Sequence, residues 1–144
     1  MNELFIRQSI NIKAPAAKVW DLLVNPEKTK LYMFGCKVIS DWKIGSRVLW
    51  KGEADGVIYV KGYLVRIVPE QLLQYTVFDP NGKIEDIPAN YLTVTYELSF
   101  NNGVTTFIIS QGDFSKVANG EERYKHTVTG GDFILQKINE LAEK

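Results

Sequence analysis

The stretch YLTVTYELSFNNGVTTFIISQGDFSKVANGEERYKHTVTGGDFILQKINEL, residues 91–141, carries two structural periods in succession. From Tyr91 to Phe100, Leu92, Val94, Tyr96, Leu98 and Phe100 alternate with Thr93, Thr95, Glu97 and Ser99. That period of two puts alternate side chains on opposite faces of a strand. Val104 to Gln111 reads as a second strand, and Asn101-Asn102-Gly103 between them is the turn chemistry of a tight hairpin. After Asn119 the period becomes 3.6, with Tyr124, Thr127, Gly131, Ile134, Ile138 and Leu141 on one stripe. Asn119 stands as an N-cap with Glu122 three residues on. A helix of ~20 residues from there would span ~30 Å, enough to cross a small domain.

Upstream, Leu4, Ile6, Ile10 and Ile12 alternate with polar residues and predict a first strand over about Glu3 to Lys13. Ala14-Pro15 then starts a helix whose inner face is Ala16, Val19, Trp20 and Leu23. Asn25-Pro26 ends it and opens a second short helix, Glu27 to about Phe34, with Leu31 and Phe34 expected inward. From Lys37 to Asp113 β-branched and aromatic runs are broken by turn residues, among them Gly45-Ser46, Ala54-Asp55-Gly56, Pro69-Glu70 and Asp79-Pro80-Asn81-Gly82. These make about six strands of an antiparallel meander. Lys61 and Arg66 fall on opposite parities within Val57 to Val68, which places a bulge or a sheet edge there. The order is strand, two helices, strands, long helix, and such segregation points to an α+β packing in one domain, residues 1–144.

The bulk properties narrow the function. Hydrophobic residues make up 45% and charged residues 24%, while 17 basic residues balance 17 acidic ones, so nothing draws the chain to nucleic acid. No run approaches the ~20 apolar residues of a membrane span, and no lysine/arginine block would hold the chain on an anionic bilayer. The N-terminus alternates polar and apolar residues where a signal peptide would be continuously apolar, so a cytoplasmic location is expected. A single cysteine, Cys36, and a single histidine, His126, lie in segments with no metal-ligand spacing, and no metal or cofactor is expected.

The runs INIKAPAAKVWDLLVNPEK, GYLVRIVPEQLLQYTV, GVTTFIISQGDF and YKHTVTGGDFILQKINEL resemble the SRPBCC or START-like superfamily, and within it the domains similar to the activator of heat-shock-protein-90 ATPase. The alanine-proline helix start with Val19-Trp20, and the order Gly62, Val65, Pro69, are its most specific parts. The resemblance spans nearly the whole chain. It implies a helix-grip fold, a curved antiparallel sheet of six or seven strands around the C-terminal helix, with a cavity between them. Two departures stand out. Many relatives carry a glycine-tryptophan pair where this chain has Gly130-Gly131-Asp132-Phe133, and a histidine where it has Gln111.

Candidate cavity residues follow from that arrangement. Tyr32, Trp50, Tyr59 and Tyr75 lie on elements the fold would wrap around the cavity, as do Tyr96, Phe107 and Tyr124. An interior tyrosine must satisfy its hydroxyl, so such residues would give an apolar pocket oriented polar groups. Gln111 shares the parity of Phe107 and Ile109 and is expected inward. A buried amide left unpaired costs about 1–3 kcal/mol, so a protein group, water or ligand should meet it. Gly130 and Gly131 each cost roughly 1 kcal/mol inside a helix, so close packing against the sheet, a kink, or room for a ligand must require them. Gly131 is the one placed on the inner stripe.

The expected partner is therefore a hydrophobic small molecule: lipid-like, aromatic or isoprenoid-type. The resemblance also implies two rivals, a chaperone as protein partner and a cyclase or dehydratase reaction on the same fold. For the reaction the chain offers Asp113, Tyr124 and His126 as acid–base groups; the Glu53/Asp55 pair is better explained by a turn and a solvated surface. Nothing in the sequence separates a monomer from a homodimer.

Overall fold

A computed structural model describes residues 3–144. Strand β1 (Ile6–Ile12) leads into α1 (Ala16–Val24) and the single turn α2 (Pro26–Thr29). A meander follows: β2 (Cys36–Ile39), β3 (Arg47–Gly52), β4 (Ile58–Val68), β5 (Leu72–Val77), β6 (Leu92–Asn101) and β7 (Val104–Gly112). The chain ends in α3 (Gly120–Ala142). The seven strands form one antiparallel sheet in the order β1-β7-β6-β5-β4-β3-β2. The first strand thus returns beside the last, and the sheet curves around α3 as the resemblance implies. No helix among the described residues is long and apolar enough to cross a membrane.

The β6–β7 hairpin closes as its sequence requires. Asn101 pairs with Val104, and Asn102 and Gly103 take φ of 53° and 79°. Two consecutive left-handed residues make the type I′ turn, whose twist matches that of the strands. Inward positions Leu92, Val94, Tyr96 and Leu98 are buried, but Phe100, expected on that face, is exposed at the tip beyond the reach of α3. The parity conflict in β4 resolves as a bulge: pairing with β5 shifts register between Leu64 and Arg66.

Beyond the bulge, β4 presses close on the end of β5. Lys61 and Phe78 exchange both backbone hydrogen bonds, at 2.9 and 2.7 Å. The Tyr63 N–H donates to the Thr76 hydroxyl at 2.9 Å. Between them, a Cβ on Gly62 would fall inside the Thr76 carbonyl oxygen. The glycine in the sequence pattern is therefore required by strand approach.

Two expectations are corrected. The second helix stops at Thr29, and the chain turns through Phe34 and Gly35, with φ of 55° and 83°, to enter β2. Thr29 fixes the reversal, since its hydroxyl accepts from Val38 N at 3.0 Å and donates to Cys36 O at 3.3 Å. A helix continuing to Phe34 could not make that reversal, so Leu31 (47% exposed) and Phe34 (71%) face outward. Tyr32 is buried in their place, its hydroxyl donating to Leu22 O at 2.6 Å. At the start of α3, Asn119 holds the N-cap position but in the left-handed region, and its side chain makes no capping bond. Glu122 does not reach back to it; it lies 3.6 Å from His126, one turn along the same helix.

The core explains how α3 is held. Its C-terminal end buries Leu135, Ile138 and Ala142 among Ile12, Val19, Leu23 and Phe107. At its other end Tyr124 packs edge-on against Phe114, ring centroids 5.5 Å apart, in a smaller cluster with Ile6 and Leu92. Substituting Gly62→Ala should destabilise the protein by ~1–3 kcal/mol, the usual range for overpacking. Urea unfolding of wild type and variant measures it, and an unchanged midpoint would show that the two strands separate freely there.

Candidate functional site

Between its two anchored ends, α3 touches the sheet at β1, where the Gln8 amide donates to Asp132 Oδ1 at 3.1 Å, and beside that contact a cavity of about 540 Å³ remains between helix and sheet. Its floor follows strand register. Tyr75, Val94, Gln111 and Ile6 lie side by side across β5, β6, β7 and β1, and all four line the cavity. A second row, two residues along, contributes Tyr96, Ile109 and Gln8. Paired Trp50 and Val60 close the far side. Thr127, Gly131 and Ile134 of α3 form the roof, and Asp79, Arg123 and His126 also face the cavity.

Five of the nine predicted residues meet here: Trp50, Tyr75, Tyr96, Gln111 and Gly131. The other four lie elsewhere, each for a structural reason. Tyr32 is core, tied to Leu22, and Phe107 is core behind Tyr96, with ring centroids 5.6 Å apart. Tyr124 anchors α3 on Phe114. Tyr59 has the opposite parity to Val60, is half-exposed and donates to Asp55.

Tyr75 and Tyr96 share a hydroxyl–hydroxyl hydrogen bond of 3.0 Å inside an aromatic run that continues to Trp50, 6.3 Å from Tyr75. Burial pushes both phenols above the ordinary tyrosine value, Tyr75 well above. They are therefore protonated hydrogen-bonding groups at neutral pH. The Gln111 amide has no side-chain hydrogen bond among the described residues and opens on the cavity. Gly131 has a single neighbour within 4 Å of where its Cβ would stand, Gln8 Oε1 at 3.2 Å, and Gly130 has none. Nothing packs against Gly130, whereas a Cβ at Gly131 would press on the Gln8 side chain of β1, which would have to shift by a few tenths of an ångström.

Candidate acid–base groups do not converge. Asp113 caps the turn after β7, its Oδ1 accepting from Leu4 N at 2.8 Å, Ser115 N at 2.9 Å and the Ser115 hydroxyl at 2.7 Å. The Ser115 hydroxyl foremost, then the Leu4 N–H, hold its carboxyl below the ordinary aspartate value. His126 reaches the cavity rim, but its side chain is 83% exposed. Glu53 accepts from Lys30 and Lys37 at 3.2 and 3.3 Å on the surface. Among the described residues, no three His, Cys, Asp or Glu side chains are grouped to hold a metal ion.

Sequence reading missed Arg123 and Gln8. Both carried a signal: Arg123 lies four and eight residues before Thr127 and Gly131, a cation on the inner stripe, and Gln8 is a polar residue at the parity of Ile6 and Ile10. Burial lowers the Arg123 guanidinium from its ordinary value, opposed by the charge of Asp79.

The family model described as "Activator of Hsp90 ATPase homolog 1-like protein" matches residues 13–143. No protein of curated description matches the chain. The solution structure of ChR145 from Cytophaga hutchinsonii is 35% identical, covers 97% of this chain and 94% of its own, and superposes with a TM-score of 0.77. The solution structure of the Aha1 dimer from Colwellia psychrerythraea shares 13% identity over 97% of this chain and 96% of that one, with a TM-score of 0.76. An HSP90 activator from Plasmodium falciparum shares 14% over 88% of each chain, with a TM-score of 0.64. The last two likenesses establish the shared fold.

Asp113 yields a pH-dependent outcome. A carboxyl with a depressed folded pKa adds stability above its unfolded value and loses it as pH falls through the folded one. The melting temperature of Asp113→Ala should lie below that of wild type at pH 7, and the gap should narrow as pH falls below about 3.8. A gap constant with pH would mean that the carboxylate charge contributes nothing.

Proposed function

The chain belongs to the activator of Hsp90 ATPase homolog 1-like family, and from that premise we propose that it is a cytoplasmic binding protein for a small, mostly apolar molecule held between sheet and C-terminal helix. The observation that carries this reading is the cavity. Its 540 Å³ falls within the ~300–1,000 Å³ usual for ligand sites, and like them it has apolar walls with a few placed polar groups. The Tyr75–Tyr96 pair and Gln111 are those groups. A lipid-like, aromatic or isoprenoid-type molecule fits such a lining, and the reading calls for no cofactor. A cyclase or dehydratase would need an acid–base pair in the cavity; of Asp113, Tyr124 and His126, only His126 reaches even its rim.

Native mass spectrometry of protein purified from its own host should show a retained small molecule. Gly131→Leu should hold stability, because leucine favours the helix by ~0.8–1 kcal/mol over glycine and can enter open space, while affinity for an apolar fluorescent probe falls. A destabilised variant that binds the probe as wild type does would sink this use of Gly131.

A second reading, regulation of a chaperone ATPase by protein contact, is favoured by one surface feature. Phe34 and Phe133 stack with centroids 5.6 Å apart although 71% and 51% exposed, and exposed apolar patches mark contact sites. If that patch acts, the protein should stimulate a heat-shock-protein-90 ATPase, and Phe34→Ser with Phe133→Ser should abolish the effect while probe binding in the cavity persists. Under the ligand-binding reading alone, the ATPase rate stays at baseline.

A further inference from the structure

Arg123 carries a donor edge that no protein group uses. Its Nη1 donates to Asn90 O at 2.9 Å and more weakly to Ala118 O at 3.5 Å, which fixes the guanidinium against backbone. Nε and Nη2 have no hydrogen-bond acceptor among the described residues, and Arg123 forms no ion pair there. Nε and Nη2 together make the parallel pair of N–H donors that meets both oxygens of a carboxylate. A partly buried cation whose opposing charge, Asp79, stays beyond ion-pair distance is incompletely compensated, and a bound anion would relieve it. Apolar walls of the same cavity, Val77, Leu92 and Val94 among them, lead away from it.

We propose that the cavity takes an amphipathic acid, its carboxylate held side-on by Arg123 and its apolar body lying over the floor toward Tyr75 and Trp50. The inference rests on the ligand-binding reading above and adds the head group. Asp79 lines the same cavity, and its charge acts on Arg123 without reaching ion-pair distance. It opposes the incoming anion and so favours acids whose carboxylate can seat fully on the guanidinium.

Titration calorimetry of the full chain with dodecanoate and with dodecan-1-ol tests this. The two probes share the apolar tail and differ in the charged head. Dodecanoate should bind about tenfold tighter or better, the gain expected of a charge-assisted pair. Arg123→Gln should bring dodecanoate down to the affinity of the alcohol and leave the alcohol unchanged, while Arg123→Lys keeps part of the difference. Asp79→Asn, which alters no contact of Arg123, should tighten dodecanoate several-fold and leave the alcohol alone, so the inference stays testable if Arg123→Gln fails to fold. Equal affinity of wild type for both probes, or equal loss of both in Arg123→Gln, overturns the head-group assignment and leaves the cavity reading standing. Failure of both probes to bind wild type removes the cavity reading and this inference with it.

Discussion

The anchoring of α3 at its two ends is the constraint on which the rest depends. Leu135, Ile138 and Ala142 bury one end in the main core, and Tyr124 against Phe114 fixes the other. Each such buried side chain is worth ~1.5–3 kcal/mol, a large share of the ~5–15 kcal/mol that holds a domain together. Between these anchors the helix meets the sheet at β1, where Gln8 donates to Asp132 at 3.1 Å, and elsewhere a straight helix cannot follow a curved sheet. The space left beneath Thr127, Gly131 and Ile134 is therefore built into the fold, and it persists because closing it would mean giving up one anchor.

The sheet supplies the other half of that geometry. Gly62 lets β4 approach the Thr76 carbonyl, and the bulge between Leu64 and Arg66 shifts the pairing with β5. Bulges bend and twist the strand that carries them. Across the remaining strands antiparallel register aligns Tyr75, Val94, Gln111 and Ile6, so one cross-strand row becomes the cavity floor. Thr105, buried in β7, donates to Ala14 O at 2.7 Å and ties the start of α1 to the same sheet.

The cavity's polar groups are few and set within apolar walls. Its phenols are held protonated by burial, Gln111 offers an uncommitted amide, and Asp113, whose Oδ1 joins the end of β7 to Leu4, does not line it. The charged residues that line it are Asp79 and Arg123. An apolar interior with its charge set apart suits a molecule that has an apolar body and one polar end.

Sequence alone determined the elements and the faces. The alternation in residues 91–111 and the 3.6-residue stripe after Asn119 are local periodicities, and burial of one face is enough to enforce each. The family resemblance then implied the arrangement around the helix, which placed Tyr75 beside the cavity, and parity turned Tyr96 and Gln111 inward. What happens at the ends of elements was decided in three dimensions. Thr29 binds Cys36 and Val38 and so stops the second helix, leaving Phe34 outside, and no local pattern announces that bond. Parity likewise puts Phe107 and Tyr96 on one face of the sheet, yet only Tyr96 borders the cavity, because Phe107 lies where the anchored end of α3 meets the strands. Arg123 had a place on the stripe, but its free donor edge exists only because Asn90, thirty-three residues away, accepts from the other side of the guanidinium. Periodicity fixes which face a side chain occupies; the contact between distant segments fixes whether that face is packed or open.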